Sequence, residues 1–95
     1  MLTHIVLFKL KEDSKDQIEE LKNRLMAMEG QIPELLSIEV GIDVVRSERS
    51  YDLALITKFE SLDAMQVYQV HPEHQKVIAF VNTVKESTIA VDYEN

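Results

Sequence analysis

The fold is decided by Leu2-Thr3-His4-Ile5-Val6-Leu7-Phe8-Lys9-Leu10, a stretch that predicts a β-strand with apolar side chains on both faces. Alternate side chains of a strand point to opposite faces. One face would therefore carry Leu2, His4, Val6, Phe8 and Leu10, and the middle of the other face would carry Ile5 and Leu7. A strand with this pattern needs a cover on each side of its sheet.

The segment after this strand has the pattern of an amphipathic helix. Ser14 followed by Gln17 is a capping-box pattern, which predicts that the helix begins there. Gly30 predicts its C-terminal end. The apolar stripe of the helix, at the spacing of helical turns, consists of Ile18, Leu21, Leu25 and Met28.

Strand and helix patterns then continue to the end of the chain. We predict strands over residues 37–45, 51–60 and 88–93, with a bulge at Gly41 in the first of them. Residues 62–70 predict a short helix, and a second helical segment follows Pro72. The strand over 51–60 is also apolar on both faces, with Leu53, Leu55 and Phe59 on one and Ala54 and Ile56 on the other.

This order of elements, β-α-β-β-α-β, predicts a single α+β domain over residues 1–95 with the ferredoxin-like arrangement. Such a fold has a four-stranded antiparallel sheet with helices on one face. The other face would be bare, yet its central strands are apolar. Because soluble monomers rarely expose an apolar surface of that size, we expect a homodimer packed sheet to sheet into an α/β barrel.

Composition narrows the possible partners. The 95 residues are 45% hydrophobic and 28% charged, which is typical of a globular domain. The net charge of −7 argues against nucleic acid and against an anionic membrane surface. No stretch is long and apolar enough to span a membrane, and the absence of cysteine suits a cytoplasmic protein. A small-molecule ligand or another protein remains as the expected partner.

The groups best suited to chemistry lie in one segment, Tyr68-Gln69-Val70-His71-Pro72-Glu73-His74-Gln75-Lys76-Val77. It brings a phenol and two imidazoles within seven positions, across a proline that must interrupt a helix. Tyr68 would close one helical segment, and His74 would lie in the first turn of the next. His71 is expected to cap that next helix.

Several segments resemble the stress-responsive dimeric α/β-barrel (Dabb) domain family. They are His4-Ile5-Val6-Leu7-Phe8-Lys9-Leu10-Lys11, Ser50-Tyr51-Asp52-Leu53-Ala54-Leu55, Phe59-Glu60-Ser61, Tyr68-Gln69-Val70-His71-Pro72-Glu73-His74 and Asp92-Tyr93. The resemblance covers nearly the whole chain without insertions, and the His-Pro-x-His segment is its most specific part. It implies the ferredoxin-like fold paired into a dimeric barrel.

The resemblance also implies two functions. A third, a cofactor-free monooxygenase, follows only from related dimeric barrels that share the architecture, and no motif of the chain favours it. Some members of the family resemble stable, stress-associated oligomers without evident chemistry. One plant member is a polyketide cyclase that performs an intramolecular aldol condensation with a histidine base and a tyrosine partner. By position in the motif these roles fall on His74 and Tyr68, and a further pocket histidine falls on His4.

The chemistry of an aldol cyclisation matches these residue types. It needs a base for the proton beside a carbonyl and a donor for the enolate oxygen, and it needs neither a metal nor a cofactor. Histidine, with an unperturbed pKa of about 6.5, suits the first task, and a tyrosine hydroxyl suits the second. This would be a cofactor-independent enzyme, or a binder, for a carbonyl-rich compound.

A structural interpretation of the same residues stays open. The Tyr68 hydroxyl could bond a backbone group, His74 could bond a strand carbonyl at the edge of the core, and His4 could be a structural residue of its strand. The histidines lack a supporting carboxylate at a metal-ligand spacing. Asp52 and Asp92 are expected to be solvated or paired near Lys58 or Arg49. With only two glycines, the chain has no phosphate-binding loop.

Overall fold

A computed structural model describes all residues from 1 to 95. Its strands are β1 (Leu2–Leu10), β2 (Ser37–Ile42), β3 (Leu53–Phe59) and β4 (Lys85–Glu94), and its helices are α1 (Ile18–Met26), α2 (Leu62–Val70) and α3 (Pro72–Val84). The strands form one antiparallel sheet in the order β2-β3-β1-β4. The predicted ferredoxin-like fold is confirmed, with the second helical unit divided into α2 and α3.

Three local predictions were wrong. The first helix does not extend to Gly30, because α1 ends at Met26 and turns follow it. The capping box at Ser14 does not form, because Ser14 lies inside a 3-10 turn over Glu12–Gln17 and its hydroxyl is directed to Asp13. The helix α1 therefore begins only at Ile18, without a side-chain cap. Gly41 makes no bulge, since β2 pairs with β3 without a shift of register.

The core lies between the sheet and the helices. Phe8 and Leu10 of β1 and Phe59 of β3 are buried there against Leu21 and Leu25 of α1. The helices cover β1 and β3 most fully, and the edge strand β4 is largely exposed on its helix side. This incomplete cover leaves room for a cavity beside β4.

The opposite face of the sheet is apolar and bare, as the strand patterns predict. On β4, the exposed fractions of Ile89, Val91 and Tyr93 are 49%, 60% and 43%. The register places them beside the outward side chains of β1 and β3. The complete apolar row comprises Ile5, Leu7, Ala54, Ile56, Ile89, Val91 and Tyr93. Separately, no helix is long and apolar enough to cross a membrane. The cytoplasmic location stays a prediction.

Candidate functional site

The site begins at the break between α2 and α3. Pro72 has no backbone N–H and occupies the first turn of α3, and His71 caps that helix by accepting from the Glu73 amide at 3.1 Å. The cap predicted for His71 is confirmed. In an unbroken helix the Glu73 amide would bond the carbonyl of Gln69. The break therefore leaves the Gln69 carbonyl free for other donors.

The freed carbonyl of Gln69 fixes the imidazole of His74. It lies 2.9 Å from Nδ1 of His74 and also accepts from the Gln75 side chain at 2.8 Å. A carbonyl oxygen can only accept, so Nδ1 of His74 carries the hydrogen. In the neutral ring Nε2 then holds a free lone pair. The partner of His74 is therefore a helix carbonyl, and the alternative prediction of a bond to a strand carbonyl is wrong.

Burial keeps His74 in this neutral form. Desolvation is the main cause that lowers the pKa of His74 below its ordinary value. The hydrogen bond to Gln69 acts in the opposite direction, and the nearby His4 lowers the pKa further. Near neutral pH, His74 is thus available to accept a proton.

Tyr68 lies beside His74 and carries a hydroxyl without a partner. Its ring contacts the rings of His74 and Phe59 in a tilted arrangement, with centroid distances of 4.4 Å and 4.8 Å, and its side chain is fully buried. The Tyr68 hydroxyl makes no hydrogen bond, which contradicts the expected bond to a backbone group. Burial raises the pKa of Tyr68 strongly, so the hydroxyl keeps its proton. A buried, unpaired hydroxyl is costly, and native structures rarely contain one without a reason.

His4 reaches the same region from the sheet. The register places Thr57 of β3 and Asp92 of β4 opposite His4 on either side. The Asp92 carboxylate accepts from Nδ1 of His4, and the Thr57 hydroxyl donates to the His4 carbonyl oxygen at 3.3 Å. His4 is thereby buried and held in one orientation, with Nδ1 turned to Asp92.

The three side chains border one cavity of about 210 Å³ between the sheet and the helices. Its wall is mostly apolar, with Val6 and Phe8 from the sheet and Val77 and Val81 from α3. Its polar lining is His4, Tyr68, Gln69, His74, Asn82, Lys85 and Thr88. An apolar pocket with a few convergent polar groups is the usual form of a small-molecule site.

The structure therefore brings together all three residues that the sequence singles out. Whether they act on a ligand stays a prediction. Asp92, which was expected to be solvated or paired near Lys58 or Arg49, instead pairs with His4, which lies 88 positions away in the sequence. The only sequence signal that pointed to Asp92 was the family resemblance, which includes Asp92-Tyr93 but assigns these residues no role.

Asp52 lies outside this site and has a structural role. It accepts from the Leu10 amide at 2.7 Å and from Lys15 at 2.8 Å, so the expected pairing with Lys58 or Arg49 is wrong. Burial alone would raise the pKa of Asp52, but Lys15 and the Leu10 amide outweigh it and hold the pKa below the ordinary value. No group of three or more side chains in the structure has the arrangement of a metal site.

The sequence matches known proteins over almost its full length. Residues 2–95 match the family described as Stress responsive A/B Barrel Domain, or Dabb. An uncharacterised protein of Streptomyces coelicolor is 32% identical over 97 residues, which cover 99% of each chain. A stress-response A/B barrel domain-containing protein of Arabidopsis thaliana is 22% identical over 98% of this chain, which spans only 46% of that relative.

Solved structures share the fold of this chain. A dimeric protein of unknown function and ferredoxin-like fold from Bacteroides fragilis is 33% identical, with a TM-score of 0.89 and coverage of 99% of this chain and 95% of that one. Two of the structural neighbours are described by a named activity. An antibiotic biosynthesis monooxygenase is 15% identical, with a TM-score of 0.81 and coverage of 100% of this chain and 98% of that one. A hydroxynitrile lyase from Passiflora edulis is 18% identical, with a TM-score of 0.83 and coverage of 97% of this chain and 90% of that one. At these identities the likeness shows the fold alone.

Proposed function

The chain belongs to the stress-responsive A/B barrel domain family, and we propose that it binds a small carbonyl compound in the cavity between sheet and helices and catalyses proton transfer on it with its own side chains. The observation that carries the proposal is the buried, unpaired hydroxyl of Tyr68 beside the free Nε2 of His74. A carbonyl ligand would supply the acceptor that the hydroxyl lacks.

The proposed reaction uses His74 as a base and Tyr68 as a hydrogen-bond donor. Nε2 of His74 takes the proton from the carbon beside the carbonyl, and the electron pair of that C–H bond forms the enolate. Tyr68 donates to the enolate oxygen as its charge develops. In a substrate with a second carbonyl, the enolate carbon attacks that carbonyl carbon and a C–C bond forms. The protonated His74 then returns its proton to the new alkoxide.

Deuterium exchange into acetophenone tests the proton-transfer step without knowledge of the natural substrate. The parent protein in D₂O should accelerate the loss of the methyl proton signal in NMR spectra. His74→Gln should reduce this acceleration by roughly 100-fold or more, the usual contribution of a general base. Tyr68→Phe should reduce it by roughly 100-fold, the usual contribution of a donor to a developing oxyanion. His71→Asn is the matched control, because asparagine also caps helices. Equal exchange by the parent and His74→Gln would refute the assigned base.

A purely structural role is the second candidate, and it is favoured by the intramolecular partners of both histidines. His74 bonds Gln69, and His4 bonds Asp92, without any ligand. In that case the protein would be a non-catalytic, stress-associated dimer. Loss of stability in both His74→Gln and Tyr68→Phe, together with no exchange by the parent, would favour this role over catalysis.

We further infer that the bare apolar face packs against the same face of a second copy of the chain in a homodimer. The neighbour from Bacteroides fragilis is described as dimeric. The apolar row of β1, β3 and β4, defined under the overall fold, supplies the apolar surface for such a dimer. Light scattering after gel filtration should give twice the mass of one chain. Val91→Lys, at the exposed centre of that row, should give the monomer mass, and Gln66→Lys on α2 should leave the mass unchanged. A monomeric parent would contradict the inference.

A further inference from the structure

The end of the cavity farthest from His4 carries a cation that the proposed proton transfer does not use. Lys85 ends α3 and begins β4, lines the cavity and is half-buried. It is the only lining side chain with a permanent positive charge. Lys85 belongs to none of the salt bridges of the chain. The ammonium of this half-buried lysine therefore has no carboxylate partner within the protein.

The strand register shows that Lys85 faces the cavity side of the sheet. Directly opposite residues of neighbouring strands point to the same face. Lys85 pairs with Leu10, and Thr88 pairs with Phe8, while Leu10 and Phe8 both lie in the core under the helices. Lys85 and Thr88 therefore project to the same side as His4, although they are three positions apart, because the register of β1 and β4 shifts between Lys9 and Leu10.

Two exposed residues, Asn82 and Thr88, add polar side chains to the cavity that Lys85 lines. Both line the cavity, and neither side chain takes part in a hydrogen bond within the protein. An amide and a hydroxyl can each donate to an anion beside the ammonium. His4 and Phe8, the β1 partner of Thr88, are four positions apart, which corresponds to roughly 13 Å along the strand. The cavity thus has mostly apolar walls, an acid-base end where Asp92 holds His4, and a cationic end at Lys85.

We propose that Lys85, with Asn82 and Thr88, binds a carboxylate of the substrate. The inference rests on the proposed function and narrows its substrate to a small oxo-carboxylic acid, whose reacting carbonyl lies at Tyr68 and His74 and whose acid group lies at the other end of an apolar spacer. The volume of about 210 Å³ limits that spacer to the size of about one benzene ring or a short alkyl chain. A charge-assisted hydrogen bond from Lys85 fixes the orientation in which the carbonyl meets the base.

Matched acids and esters test the inference. The probes are 4-acetylbenzoate and 7-oxooctanoate, each compared with its methyl ester, and binding is followed through the backbone amide signals of α3 and β4 in NMR titrations. The parent should bind each acid at least about tenfold more tightly than its ester, because a hydrogen bond to a charged group stabilises by more than one between neutral groups. Lys85→Met should remove that preference and leave ester binding unchanged. Lys22→Met is the control, at another half-buried lysine without an ion pair, and it should change neither the preference for the acid nor the binding of the ester.

The outcomes separate this inference from the proposal on which it rests. Equal binding of acid and ester by the parent, or a preference that persists in Lys85→Met, overturns the role of Lys85 and leaves the carbonyl site standing. Failure of all four compounds to shift the signals of the cavity overturns both. If Lys85 supplies the affinity for the carboxylate, a higher salt concentration should weaken the binding of the acids more than that of the esters.

Discussion

The rings of Tyr68 and His74 lie 4.4 Å apart, and only the imidazole has a hydrogen-bond partner in the protein. Both positions follow from the interruption of one helix at Pro72, which closes α2 just after Tyr68 and frees the carbonyl that holds His74. The pair therefore combines an imidazole whose orientation is fixed with a buried hydroxyl that bonds no other group of the protein. In the proposed reaction, these are the base and the hydrogen-bond donor.

Removal of the Tyr68 hydroxyl should stabilise the folded protein. Tyr68→Phe keeps the ring contacts with Phe59 and His74 and removes an unsatisfied buried group, whose cost is about 1–3 kcal/mol. We expect the melting temperature to rise by roughly 4–8 °C per kcal/mol for a domain of this size. Thermal unfolding followed by circular dichroism measures the change. Tyr51→Phe is the control, and a drop for Tyr68→Phe would mean that the hydroxyl has a structural partner.

The stability of the protein should depend on pH through His74. Burial and the nearby His4 hold the pKa of His74 below that of the unfolded chain, about 6.5, so the unfolded state binds this proton first as the pH falls. The stability that neutral His74 contributes is complete above about pH 6.5 and declines as the pH falls towards the lower folded-state pKa. Urea unfolding of the parent and His74→Gln between pH 5 and pH 8 isolates the effect. A difference between the two that stays flat over this range would be inconsistent with it.

Asp92 should determine which nitrogen of His4 is protonated. Its carboxylate accepts from Nδ1 of His4, which places the hydrogen of the neutral ring on that atom. Long-range ¹H–¹⁵N spectra at high pH should show the Nδ1-protonated ring in the parent and lose that preference in Asp92→Ala. Because the Asp92 side chain is 38% exposed, the free energy of unfolding should change by only about 1 kcal/mol or less. The same protonated nitrogen in both proteins would count against the pairing.

Asp52 should matter more for stability than its cation partner. It accepts from the Leu10 amide as well as from Lys15, so Asp52→Ala leaves a buried amide unpaired and should cost about 1–3 kcal/mol. Lys15→Met removes only the ion pair and should cost about 1 kcal/mol or less. Urea unfolding at neutral pH compares the two, and equal losses would assign the stabilisation to the ion pair. The pKa of Asp52 is lowered on folding, so its contribution is present above about pH 3.8 and declines as the pH falls below it.

The limits of prediction from sequence appear most clearly at Ser14 and Gly41. A capping box and a strand glycine are local signals, and in both cases the surrounding structure forms a different arrangement. The chain enters α1 through a 3-10 turn that holds Ser14 in its interior, and the continuous pairing of β2 with β3 keeps Gly41 in register. Local patterns state what a segment favours, and tertiary contacts select among similar alternatives.

The sequence by itself determined the order of strands and helices, the apolar second face of the sheet and the helix break at Pro72. These depend on side-chain periodicity and on the missing amide of proline, which act over a few residues. Only the tertiary structure decided that His4 meets Asp92, that the Tyr68 hydroxyl has no partner, and that Lys85 faces the same cavity. Those relationships depend on strand register and on packing between distant segments, because a one-residue slip would move each β4 side chain to the opposite face.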